Sequence, residues 1–256
     1  MQLAVVRDYE SLSQRAEGWV VRALREAPSL LLGVATGATP TRTYGRLAER
    51  RQAEPGLFRA LNIVGLDEWL DLPAGHAGSC RRYIRERLLR PLGIPAARYQ
   101  GFRPDAPSAA AEADRMSRWL SRHGPLDLCV LGLGRNGHLL MNEPAAALPP
   151  LAHVARLAES TRQHTMLEGL ASPPRRGLTL GLTEVLRSRS ILLLVSGAAK
   201  RGALTRTLEG RVTTRCPASF LWLHPDVTVI CDKEAAPAAG RLAMGTGTRR
   251  LHAAGR

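Results

Sequence analysis

The chain has 256 residues, 45% of them apolar and 23% charged, with 36 Lys and Arg against 22 Asp and Glu for a net charge of +14. That apolar content excludes a disordered chain, and no apolar run approaches the roughly 18 residues of a membrane span, so no membrane partner is expected. Of the basic residues only Lys200 and Lys233 are lysines; the arginines are scattered one or two at a time, which is a compositional bias and not a nucleic-acid-binding stripe.

The opening MQLAVVRDYE carries charges where a secretory leader needs an apolar stretch. Residues 9–26 then set Leu12, Ala16, Trp19, Val20 and Leu24 at helical spacing. An apolar run at 29–35 is followed by a helix-compatible segment at 41–51. A run at 60–66 is followed by one at 79–89. Residues 102–108 form a loop, 108–122 a helix, and 126–133 another apolar run. The run at 190–196 precedes a helix-compatible stretch at 198–208, and the runs at 218–224 and 227–231 read as two further strands. These runs are continuously apolar rather than alternating, as strands buried on both faces are. Strands alternating with helices predict an α/β fold with a doubly wound sheet. Residues 1–232 are expected to form one domain and 233–256 a disordered basic tail. The dispersed cysteines Cys80, Cys129, Cys216 and Cys231 read as reduced thiols of a cytoplasmic protein. None has zinc-site spacing with a histidine, so no metal is expected.

In open α/β sheets ligands bind beyond the carboxyl ends of the strands, and four motifs follow four of the runs. Thr36, Gly37, Ala38, Thr39 and Pro40 open a helix after the run at 29–35. A glycine turn, two hydroxyls and a helix N-terminus make an anion cradle. Asp67 and Glu68 follow 60–66; neighbouring strand residues point opposite ways, so one of the two enters the crevice. A buried carboxylate there could move a proton on carbon. After 126–133, GRNGHLLMNEP puts His138 in a glycine-rich loop with Glu143 five residues on, a proton carrier and a carboxylate to orient it. GAAK ends in Lys200, a compact charge suited to a phosphate.

The blocks ATGATPTRTY, GLDEWLDL, LDLCVLGLGRNGHLLMNEP, LTLGL, LLLVSGAAK and PASFLWLHPDVTVICD resemble, in order and spacing from about Val34 to Asp232, the glucosamine-6-phosphate deaminase/isomerase family, which includes the 6-phosphogluconolactonases. The NEP after GH separates the chain from the lactonases. The NGH form, LDEW followed by LP, and FLWLH look closest to the galactosamine-6-phosphate branch. The resemblance implies a three-layer sandwich with a Rossmann-like, mostly parallel sheet and helices on both faces. It implies conversion of an amino-sugar 6-phosphate to a ketose 6-phosphate and ammonia, with no cofactor. By position, Asp67 matches the base that shuttles a proton between C2 and C1. His138 matches the group that opens the ring, and Glu143 its partner. Thr36 to Thr39 match the phosphate loop, and Lys200 a phosphate-binding lysine.

The chain departs from the family in three places. Asn136 stands where many deaminases have Asp beside the histidine, but it belongs to the same catalytic group. The phosphate-binding arginine of well-known members falls at Met166 or Leu167, which leaves Arg162 or Arg176 to substitute. AAALPPLAHVARL replaces the Ser-, Arg- and Lys-bearing stretch of allosteric members, so activation by an N-acetylated sugar phosphate is not expected. The alternatives left open are glucosamine 6-phosphate as substrate, lactone hydrolysis, or sugar-phosphate binding without turnover. The oligomeric state is open as well.

Overall fold

The computed structural model describes residues 1–73 and 75–238. Most of the expected tail therefore lies outside the described residues, although Ala235, within its first turn, is fully buried.

Strand β1 (Gln2–Val6) leads into α1 (Tyr9–Glu26), capped by Asp8, whose carboxylate accepts the Ser11 N–H at 2.8 Å. Next come β2 (Leu31–Val34), α2 (Ala38–Ala53), β3 (Asn62–Gly65) and β4 (Asp67–Trp69). Helix α3 (Cys80–Ile84) passes through a π-turn at Arg85–Leu89 into the short α4 (Arg90–Leu92). Strand β5 (Tyr99–Gln100), α5 (Ala109–His123), β6 (Leu128–Gly132), β7 (His153–Arg156) and α6 (Glu159–Arg162) follow. The chain continues through β8 (Arg176–Thr179), α7 (Leu182–Leu186), β9 (Ser190–Val195), α8 (Arg201–Leu208) and β10 (Val227–Asp232).

Seven strands form one all-parallel sheet in the order β1-β10-β9-β6-β2-β3-β5. Side-chain alternation explains its two covered faces. Cys129 and Leu131 of β6, with Ile191, Leu193 and Val195 of β9, join the core shared with α5, α7 and α8. Leu128, Val130, Leu192 and Leu194 join the opposite core, with Leu12, Val20 and Leu24 of α1 and Tyr44 and Leu47 of α2. This is the three-layer α/β arrangement expected.

From β2 the chain steps outward to β3 and β5; from β6 it steps the other way to β9 and β10. The loops leaving β2 and β6 therefore diverge and leave a crevice between them.

Two features differ from the sequence reading. The run at 218–224 is not a strand but lies in a 3-10 helix, Pro217–Leu223, with Pro217 in its first turn. A short apolar run has the same composition in a buried strand and a buried helix, and here Leu223 is left 63% exposed. The second feature is a small antiparallel sheet, β4-β8-β7, whose β4 supplies Asp67 and Trp69 to the crevice wall.

Candidate active site

The crevice is a cleft of about 220 Å³ at the carboxyl ends of β2 and β6. All four motifs reach it: Thr36 to Pro40, Asp67, Gly132 to Arg135 with His138, and Lys200 line its walls.

At one end, the turn after β2 is forced by Gly37, whose φ of +99° favours a residue without a side chain. It starts α2, so the first N–H groups of that helix have no intrahelical partner. Three tyrosines hold the carbonyls of this turn. Tyr44 donates to the Ala35 oxygen at 2.7 Å, Tyr83 to that of Gly37 at 3.0 Å and Tyr9 to that of Ala38 at 2.7 Å. With these three carbonyls engaged, the helix start turns its free N–H groups to the cleft. Lys200, after the turn at Gly197, donates to the Leu133 carbonyl at 2.6 Å. Burial, and next the charge of Arg135, lower its ammonium to about 8.

Across the cleft, β4 aims Asp67 inward and Glu68 away, as strand alternation requires. Glu68 is not a cleft residue. It is 1% exposed and accepts from Ser79 Oγ, Cys80 N and Arg81 N at 2.8–2.9 Å, which anchors the start of α3. Asp67 Oδ1 is buried without a hydrogen-bond partner. Burial, reinforced by the Glu68 charge, pushes the Asp67 carboxyl up to about 7.

The loop after β6 folds back on itself. Gly134 donates to the His138 carbonyl at 3.0 Å, and a Cβ on Gly134 would run into the His138 ring. His138 Nδ1 lies 3.1 Å from Glu143 Oε2 and 3.2 Å from Thr161 Oγ1. Asn136 donates to the same Glu143 oxygen at 2.7 Å and accepts the His138 backbone N–H at 3.1 Å. Burial opposes ionisation of Glu143, but the His138 hydrogen bond and charge, with Thr161 and Asn136, outweigh it and hold the carboxyl at about 2. Glu143 and Asn136 thus stand behind His138 rather than on the cleft wall. Nδ1 is engaged, so Nε2 is the ring nitrogen free to exchange a proton. Thr179, opposite Asp67 in the β4–β8 pairing, accepts the Met141 N–H at 3.2 Å and ties the two halves of the cleft together.

Neither arginine expected to replace the missing one reaches the cleft. Arg162 turns to the other side of α6 and pairs with Glu159 at 2.6 Å. Arg176 starts β8, at the end away from the site, and pairs with Asp71 at the surface. The cleft instead contains Arg135, inside the glycine loop, and Ser160, Thr161, Gln163, His164 and Trp69. Arg135 and Trp69 lie within motifs already singled out; Ser160, Thr161, Gln163 and His164 lie in a segment without periodicity, where no sequence signal marks them. Among the described residues no cluster of three or more His, Cys, Asp or Glu side chains could hold a metal ion, and no helix is long and apolar enough to cross a membrane.

An α/β sheet carrying a carboxylate, a carboxylate-backed histidine and a helix-opening glycine turn at its switch point defines an enzyme site. Residues 7–230 match the family described as glucosamine-6-phosphate isomerases/6-phosphogluconolactonase, and the chain belongs to it. It is 41% identical to a protein of Escherichia coli K12 named "Putative deaminase AgaI", over 87% of this chain and 88% of that one. It is 37% identical to the glucosamine-6-phosphate deaminase of Geobacillus sp. WCH70, over 92% and 94%. The solved structure of a monomeric glucosamine-6-phosphate deaminase superposes with a TM-score of 0.88 at 36% identity, covering 92% of this chain and 98% of that one. The 6-phosphogluconolactonase of Trypanosoma brucei, at 23% identity and a TM-score of 0.71 over 91% and 97%, shares the fold.

Proposed function

We propose that this chain is an amino-sugar-phosphate deaminase/isomerase that converts galactosamine 6-phosphate and water to tagatose 6-phosphate and ammonia. One observation carries the reading. A carboxyl held near neutrality, Asp67, whose Oδ1 has no partner, shares a cleft with an acid–base pair, His138 with Glu143, and the cleft's other end is an anion loop with Lys200. Relatives named as deaminases support the reaction class. The NGH, LDEW and FLWLH motifs support the galacto epimer.

The chemistry follows from the residues. The loop and Lys200 hold the phosphate, which orients the sugar for the acid–base groups. His138 Nε2 takes the proton of the C1 hydroxyl and delivers it to the ring oxygen, which opens the ring to an aldehyde. Glu143 stabilises the imidazolium formed in between. The C2 proton is then acidic, being next to the carbonyl. Asp67 removes it as the C1 oxygen takes up a proton from the substrate's own C2 ammonium, which gives a neutral enolamine. Return of the proton to C1 gives an imine at C2; water adds there and ammonia leaves.

Ammonia release and ketose identity, measured with galactosamine and glucosamine 6-phosphates, test this. Tagatose 6-phosphate and ammonia from the first are expected. Release from the glucosamine epimer alone would reverse the substrate assignment, and none from either would sink the reading.

A further inference from the structure

The cleft holds one side chain whose hydrogen-bonding character is fixed by the backbone and which the reaction above does not use. His164 Nδ1 accepts the Met166 N–H at 3.2 Å. That nitrogen therefore carries the lone pair and Nε2 carries the proton. The ring leans on Trp69, with centroids 5.9 Å apart, which fixes its plane. Its Nε2 end lies against the anion loop, where a Cβ on Gly37 would stand 3.3 Å from Nε2. Nε2 has no hydrogen-bond partner among the described residues, and the ring lines the cleft with Lys200 and Arg135.

The surroundings also decide its charge. Burial, followed by the positive charges of Lys200, His138 and Arg135, lowers the His164 imidazole to about 4. At neutral pH it is an uncharged N–H donor. A further cation beside Lys200 and Arg135 would be repelled by them, whereas a neutral donor adds a hydrogen bond without that cost.

We propose that His164 grips the substrate phosphate through Nε2–H, between Gly37 and Lys200, and fills the place of the arginine missing at Met166 and Leu167. The inference rests on the sugar-phosphate reading of the cleft and adds the identity of a phosphate ligand. Phosphate recognition here combines one lysine, loop N–H groups and a neutral imidazole.

The test is titration calorimetry of the whole chain with inorganic phosphate and with a hexitol 6-phosphate, which has no amino group to lose. His164→Ala should weaken both by about 10- to 100-fold, the range for a lost hydrogen bond to a charged group. His164→Gln, whose amide nitrogen reaches the Nε2 position, should stay within about threefold of the parent. Unchanged binding in His164→Ala overturns the proposal, as does an equal loss in His164→Gln. If His164→Ala fails to fold, His164→Met against His164→Gln makes the same comparison. A parent protein that binds neither phosphate also overturns it. One that binds both but releases no ammonia from either amino-sugar phosphate leaves this inference standing and removes the deaminase reading.

Discussion

Asn136 donates its side-chain amide to Glu143 Oε2 at 2.7 Å, on the very oxygen that faces His138 Nδ1 at 3.1 Å. The side chain beside the histidine's carboxylate is thus a donor and not a second carboxylate. Glu143 keeps its full negative charge for the histidine, and the amide oxygen steadies the loop by accepting the His138 N–H.

Asn136→Asp removes that donor and puts two carboxylates within 2.7 Å. Like charges that close cannot both ionise without a large cost, so one of the pair should hold a proton near neutral pH. The variant should lose stability relative to the parent as pH rises from 5 to 8. Thermal unfolding at the two pH values checks this, and a constant difference in Tm would refute it.

Asp67→Asn should lower kcat by about 10²- to 10⁴-fold, the usual range for a lost proton-transfer group. Binding of a hexitol 6-phosphate should stay close to that of the parent. It should also stabilise the fold in alkaline buffer. Between the unfolded value of 3.8 and about 7 the folded chain keeps a proton on Asp67 that the unfolded chain has released, so the parent loses stability as pH rises through that window. The gain is expected to be about 2–4 kcal/mol at pH 8 and to shrink as the pH is lowered towards 4. Urea denaturation at pH 5 and 8 measures it.

The pH profile of kcat/KM should be a narrow bell. Asp67 must be ionised to accept a proton, so the rate rises as its carboxyl titrates near about 7. Lys200 must be protonated to hold phosphate, so the rate falls as its ammonium titrates near about 8. Lys200→Gln should weaken phosphate binding by about tenfold or more and abolish the alkaline limb. An alkaline limb that survives in Lys200→Gln assigns it to another group.

Gly134→Ala would put a methyl group into the space of the His138 imidazole. The ring would have to leave Glu143, so kcat should fall by about 10²-fold while phosphate affinity changes little. Circular dichroism and inorganic phosphate titration separate this from misfolding.

The central sheet was legible because β2, β3, β6, β9 and β10 are continuous apolar runs that only a doubly covered sheet can bury. Strand β1 was not, since Gln2 and Val5 face solvent and its signal is diluted. The β4-β8-β7 sheet was equally hidden; its strands have three or four residues each and exist by pairing with one another. Asp67, His138, Lys200 and the Gly37 loop could be found because each directly follows a sheet strand, and topology does the rest. Direction was harder to read. The placement of Arg162 and Arg176 off the cleft depends on which face of α6 and which end of β8 meets it. The approach of His164 depends on the path of a loop without periodicity.

The tyrosines behind the Gly37 turn set the orientation of its peptide groups from a distance. Tyr9, Tyr44 and Tyr83 come from three separate helices, and each orients a peptide group through its carbonyl. Releasing the Ala35 carbonyl would let its peptide rotate and present an acceptor to the phosphate, whereas Gly37 keeps a second hold in Thr41. Affinity for anions could then drift over generations through changes at these helices, with every cleft-lining side chain left intact.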